Sequence, residues 1–254
     1  MIAILAKNDA KHLPRFLETM SKLDYPKNKL KWVWMYGKSI DSTLDLILEF
    51  HKKNPEYKYE VYEEPVFHNP TRSAMYIAVP CNEFRKLLTD EDFVLMVDTD
   101  IGVLPPETLQ VLIKQGKDII APYPYIENSN PRQFYDTYVF RYANQRFENL
   151  VIDGKKYNAW NPPFENEKQP IQLDSVGTCW LTKANVFKEI AFDNPAPAYQ
   201  FCKNARKAGY TVWTLPSLQI EHINIIGQEQ PHFPLEWYVA RGILPKEELG
   251  KLQG

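Results

Sequence analysis

Short apolar runs alternate along this chain with segments of helical period. Ile2–Leu5 is a continuous apolar run closed by the polar turn Lys7-Asn8-Asp9, and it reads as a buried strand. Leu13, Phe16, Leu17, Met20 and Leu23 recur at helical spacing, Pro14 suits a first helical turn, and Pro26 ends the segment. Leu30–Tyr36 is a second strand, residues 37–43 form a turn capping a helix over 44–51, and Tyr57–Tyr62 alternates as a third strand. Helical period returns over 71–88, where Pro80 predicts a kink or two short helices. Phe93–Val97 is the fourth strand. Pro105-Pro106 opens a helix near 107–114 that Gly116 closes, and residues 118–123 form the next strand.

This β-α-β-α order predicts an α/β domain, a mostly parallel sheet with helices on both faces. From Ile126 to Gln172 the pattern degrades into Asn, Pro and Tyr, with a hairpin expected at Asp153-Gly154. A long irregular stretch inside a compact domain reads as a working loop. Order returns over 176–182, in a helix over 199–208 with Gly209 as its cap, and in a strand over 211–215. The expected organisation is one domain over 1–225 and a Pro-spaced tail, 226–254, packed on it.

Composition narrows the partners. A length of 254 residues at 44% hydrophobic content suits a single core, and a net charge of −2 offers no broad basic field, so no nucleic-acid partner is expected. Cys81, Cys179 and Cys202 are widely spaced with no CxxC and read as reduced core thiols. No apolar run approaches the length of a membrane span, so no transmembrane segment is expected and a cytoplasmic location is the default.

The chemistry concentrates where the fourth strand ends, at Asp98-Thr99-Asp100. Side chains two apart on an extended chain point the same way, so both carboxylates can face one ion, and hard oxygens suit Mg²⁺ or Mn²⁺. The bland reading is a strand-ending cap or turn. An EF-hand does not fit, because Gly102 falls at loop position five and Leu109 stands where the bidentate Glu belongs. A phosphohydrolase built on the same pair is the enzyme alternative, and a degenerate nucleotide- or glycan-binding module is the non-enzyme one. His222 follows the last strand and could add an imidazole to the ion, although a lone His is more often structural. Asp9 and Asp41 close the first two strands beside the crevice where such sheets bind nucleotides; as helix caps they would be equally at home.

Several blocks in order resemble the GT-A glycosyltransferases, and within them the fungal mannan-polymerase family. They are Phe93–Ile101, Pro105–Leu109, Lys117–Pro122, Phe134-Tyr135-Asp136, Asp174-Ser175-Val176-Gly177 and Ala205–Tyr210, continuing through Leu215-Pro216 to His222. The resemblance implies a single-domain Rossmann-like GT-A fold moving a hexose from a nucleotide-sugar donor, GDP-mannose or a UDP-hexose, to a glycan acceptor. It implies that Asp98, Asp100 and His222 bind Mn²⁺ or Mg²⁺, that Asp9, Asp41 and Asp98 contact the donor, and that Gly177 lies under the sugar or acceptor. One departure stands out. Many inverting members carry an acidic pair just before the helix that holds Phe201-Cys202, and here Asn194–Gln200 contains no acid. Either the base is elsewhere, with Asp174, Asp136 and Asp193 as candidates, or configuration is retained, as the mannosyltransferase likeness favours, or activity is lost. Tyr123, Tyr125, Tyr135, Tyr138, Trp160 and Trp180 are candidate acceptor walls, each singly more at home in a core; Tyr135-Asp136 is the exception, because the resemblance implies an acidic residue there near the acceptor.

Overall fold

The continuous apolar runs end up at the centre of one sheet, where both faces are covered. The computed structural model describes residues 1–65 and 77–223. In chain order the elements are β1 Ile2–Ala6, α1 Leu13–Ser21, β2 Lys31–Tyr36, α2 Thr43–Lys53, β3 Lys58–Glu63, α3 Ala78–Lys86, β4 Phe93–Val97 and β5 Ile101–Val103. Then come α4 Thr108–Lys114, β6 Ile119–Ile126, and four two-residue strands, β7 Arg141–Tyr142, β8 Gln145–Arg146, β9 Val151–Ile152 and β10 Lys155–Lys156. The last are β11 Ile171–Leu173, β12 Cys179–Lys183, α5 Ala184–Glu189, α6 Pro197–Lys207 and β13 Val212–His222.

The sheet runs β11-β13-β6-β12-β4-β1-β2-β3, with β5 paired to β13. β1 is parallel to both β2 and β4, β2 to β3, and β6 to β13. β12 runs antiparallel between β4 and β6, and β11 and β5 run antiparallel to β13, so the sheet is mostly parallel with one reversed strand in its middle and two against β13. Strand alternation splits the core in two. Ala3, Val33, Met35, Val94 and Met96 face one apolar layer, and Ile2, Ile4, Trp32, Trp34, Leu95 and Val97 face the other. From β1 the chain steps outward to β2 and β3, then returns to β4 on the other side of β1. The crevice at the C-terminal ends of β1 and β4 is therefore the topological switch point.

The expected strands and helices are present with shifted ends, and several details differ. β3 is an edge strand whose residues are mostly exposed, so its alternation does not mark a half-buried strand. Pro80 is the third residue of α3, where its missing N–H has no helical partner to lose, so it starts the helix and does not kink it. Residues 71–76 and the tail 226–254 lie outside the described residues. β5, β11 and α5 were not anticipated. β13 extends seven residues beyond Leu215, with a register shift between Leu215 and Gln219 that accommodates Pro216. The Asp153-Gly154 hairpin is present, with positive φ of 48° and 78° that give the turn its twist.

Candidate active site

The end of β4 is locked to the loop before β12. Asp98 N–H donates to the Thr178 carbonyl at 3.0 Å, and the Thr178 hydroxyl donates back to Asp98 Oδ2 at 3.0 Å. Thr178 adopts φ 60°, the left-handed region that a β-branched residue disfavours. The strain is held by this pair of bonds and aims the hydroxyl at the carboxylate. Beyond Asp98 the chain turns tightly, Ile101 N–H donating to the Asp98 carbonyl at 3.3 Å, and enters β5. Pairing of β5 with the end of β13 sets Ile101 opposite His222, and Ile223 N–H donates to the Asp100 carbonyl at 2.7 Å. Asp100 and His222, 122 positions apart in the sequence, thus meet.

Asp100 Oδ1 and His222 Nε2 lie 2.9 Å apart, and apart from each other these two buried atoms have no partner among the described residues. His222 Nδ1 lies 2.8 Å from the Ile223 carbonyl, which can only accept, so that nitrogen carries the proton. Nε2 then faces the carboxylate oxygen either with a second proton, as an ion pair, or with a lone pair open to a cation. Burial alone would lower the imidazole pKa, but Asp100 and the Ile223 carbonyl outweigh it and raise it. The spacing also fits a metal: neighbouring ligands of an octahedral ion at about 2.1 Å lie about 3.0 Å apart. Asp98 opens onto the same crevice; desolvation by the surrounding protein, and second the charge of Asp100, hold its carboxyl above the ordinary range. Among the described residues no group of three or more His, Cys, Asp or Glu side chains is placed to hold a metal ion, so Asp98, Asp100 and His222 are not gathered as a complete ligand set. The donor set present suits a hard or borderline divalent cation that takes its remaining ligands from a bound molecule.

Beside this group lies the segment 134–140. The Tyr135 ring stacks on His222 with centroids 3.5 Å apart and planes 15° apart, which fixes the imidazole's orientation. Burial, followed by Asp100, Asp136 and Asp98, raises the Tyr135 phenol well above its usual value. Asp136 Oδ1 accepts from Val139 N–H at 3.2 Å. Its Oδ2 lies directly over Gly177, so closely that a Cβ there would collide with it. Desolvation pushes the Asp136 carboxyl up to about 6.

Asp9 and Asp41 lie together in the loops after β1 and β2. Asp9 N–H donates to the Thr43 hydroxyl at 2.8 Å, and Ala10 N–H donates to Asp41 Oδ2 at 3.0 Å. Asp41 Oδ1 also accepts from Thr43 N–H at 3.1 Å, a turn bond ahead of α2, whose N-cap is Ser42 and not Asp41. Asp174 pairs with Arg206 at 2.6 Å and accepts from Asn144 N–H. Exposed Asp193 accepts from the Asn204 amide at 2.7 Å. Neither touches the Asp98 group, so of the three acids considered as a base the structure brings only Asp136 there. Sequence reasoning missed Thr178, whose signal is a conformation. It also missed His12, whose imidazole is lowered by burial and lies within the electrostatic reach of Asp100 and His222. Its one sequence cue is its place in the loop after β1.

The family model of the glycosyltransferase family 25 N-terminal domain matches residues 1–147. The human procollagen-lysine,2-oxoglutarate 5-dioxygenase 2 is 26% identical over 214 residues, covering 82% of this chain and 27% of its own length. The mannan polymerase II complex ANP1 subunit of Saccharomyces cerevisiae is 22% identical over 275 residues, covering 88% of this chain and 54% of its own. The chain thus spans about a quarter to a half of these relatives. Among solved structures, the mannosyltransferase PcManGT from Pyrobaculum calidifontis, in complex with GDP-Man and Mn²⁺, aligns with a TM-score of 0.60. That alignment covers 94% of this chain and 59% of that one at 14% identity, a likeness of fold. The fold is GT-A. Among the described residues no helix is long and apolar enough to cross a membrane.

Proposed function

Since the chain belongs to glycosyltransferase family 25, we propose that it transfers a hexose from a nucleoside-diphosphate sugar to a hydroxyl of a glycan, using a divalent cation. The observation that carries this reading is the buried pair Asp100 Oδ1 and His222 Nε2, 2.9 Å apart at the switch-point crevice with no other partner among the described residues. GDP-mannose and UDP-hexoses are the donors to try first.

Asp98, Asp100 and His222 are the residues that would hold Mn²⁺ or Mg²⁺, whose contribution when bound is to stabilise charge on the departing diphosphate. Thr178 keeps one Asp98 oxygen engaged and leaves the other for this role. The Asp9 and Asp41 loops hold the nucleoside, as ligands are held beside a switch point. Asp136 takes the acceptor's proton. As the acceptor oxygen bonds to the anomeric carbon, the carbon–oxygen bond to the diphosphate breaks, the nucleoside diphosphate leaves with the electron pair, and the proton passes to Asp136 Oδ2. A carboxyl held near 6 suits that task, because it is ionised at neutral pH yet more basic than an exposed aspartate. With a base in place, direct displacement inverts the anomeric centre, whereas the mannosyltransferase likeness favours retention.

Incubation with GDP-mannose, UDP-glucose and UDP-galactose, with and without Mn²⁺, tests the reading. Release of free nucleoside diphosphate that needs metal and disappears in Asp100→Ala is expected. Metal-independent turnover, or phosphate release from simple phosphomonoesters instead, contradicts it. The product anomer, read by NMR, distinguishes displacement from retention.

A further inference from the structure

Of the six aromatic side chains that the sequence offers as acceptor walls, five are already covered. Tyr123, Tyr125 and Trp180 are core residues, none more than 4% exposed. Tyr135 is stacked on His222, and Tyr138 lies under the Arg146 guanidinium at 4.0 Å. Trp160 differs. It is 59% exposed, against 43% for Tyr59, the next most exposed large apolar side chain among the described residues. Among the described residues no ring or cation lies over it.

Its backbone is tied down while its indole is open. Trp160 N–H and Asn161 N–H both donate to Asn158 Oδ1, at 2.9 and 3.1 Å. Phe134 N–H donates to the Ala159 carbonyl at 2.7 Å, which fastens this turn to the segment carrying Tyr135 and Asp136. Polar groups gather on Tyr125, which is bridged to Phe134. The Arg132 guanidinium covers its ring at 3.6 Å, and its hydroxyl donates to Glu165 Oε1 at 2.9 Å. Arg132 and Glu165 are themselves exposed. An open indole on a turn fastened to the Asp136 segment matches a pyranose, which presents a C–H face to such a ring; Arg132, hydrogen-bonded to Gln219 at 2.7 Å, and Glu165 mark the Tyr125 end of the same surface.

We infer that Trp160, on the turn fastened to the segment of Tyr135 and Asp136, forms a subsite for a neutral sugar ring of an extended glycan acceptor. The inference rests on the transferase reading above and names the acceptor class, an oligosaccharide.

Isothermal titration of the full chain with mannotriose, lactose and chitotriose, in the presence of Mn²⁺ and nucleoside diphosphate, tests it. At least one saccharide is expected to bind, about tenfold more weakly to Trp160→Ala and with a smaller loss in Trp160→Phe. Thermal melting checks that each variant is folded, as the exposure of Trp160 leads one to expect. Binding that is equal in wild type and Trp160→Ala, or absent for all three saccharides, overturns the subsite. Metal-dependent release of nucleoside diphosphate by the wild type is the separate readout for the transferase reading. If that release is absent while saccharide binding depends on Trp160, the transferase reading falls and the subsite stands.

Discussion

Gly177→Ala moves the Asp136 carboxyl without changing Asp136 itself. The new Cβ would land on Asp136 Oδ2 and lie 3.1 and 3.2 Å from Val139 Cγ1 and Cβ. Favourable contacts run about 3.5–4.0 Å, so the carboxyl must withdraw by about 1 Å or more. Val139 N–H holds Oδ1 at 3.2 Å, so the withdrawal strains or breaks that bond. The φ of Gly177 is not positive, so alanine adds no backbone strain of its own. A reacting group misplaced by about 1 Å costs on the order of 10²-fold in rate, about 2.7 kcal/mol of transition-state stabilisation. Overpacking of this buried site should cost about 1–3 kcal/mol of stability, leaving a folded enzyme to assay. The assay is kcat and KM for sugar transfer in wild type, Gly177→Ala, Asp136→Asn and the double variant. If alanine acts through Asp136, it lowers kcat alone but adds little once Asp136→Asn has removed the base. An unchanged kcat in Gly177→Ala, or the same loss in both backgrounds, refutes the role given to Asp136.

Other consequences are open to measurement. With Asp136 held near 6, kcat/KM should fall about tenfold per pH unit below that value and level off above it, a limb that Asp136→Asn abolishes. Tyr135→Ala should weaken Mn²⁺ binding by about tenfold in an electron paramagnetic resonance titration, because the imidazole loses the ring that orients it, whereas Tyr135→Phe should bind as wild type does. His51 is buried neutral, with Nε2 accepting from Trp34 Nε1–H at 2.9 Å, and desolvation lowers its pKa to about 4. Between the ordinary histidine value and about 4 the unfolded chain binds the extra proton, so stability should fall as pH drops through that window, by up to about 1.4 kcal/mol per pH unit. Denaturant melts at pH 7 and pH 5 check this, and His51→Gln should show a shallower fall.

Much of the site was legible because its parts sit at the ends of strongly apolar strands. The run Phe93–Val97 fixes where Asp98 and Asp100 emerge, and helical spacing on either side fixes the α/β class. What was hidden is tertiary. Ile101–Val103 is too short to read as a strand, yet its pairing with β13 is what brings Asp100 to His222. The reversed direction of β12 leaves no mark on local pattern, because a buried strand reads the same in either direction. Asp136, Asp174 and Asp193 were all open as the base, with Asp136 set apart only by the family resemblance. Packing separates them, one over a glycine floor and two engaged with Arg206 and Asn204. Pro80 misled because a proline in a helical pattern reads as a break unless the helix start is known.

The central claim is that Asp98, Asp100 and His222 form one cation site serving a nucleotide-sugar donor. Anomalous diffraction at the manganese edge, from crystals holding Mn²⁺ and a nucleoside diphosphate, tests it most directly. The account predicts a peak about 2.1–2.2 Å from both Asp100 Oδ1 and His222 Nε2, lost in Asp100→Ala. A crystal with the nucleotide bound and no peak between those two atoms would contradict it.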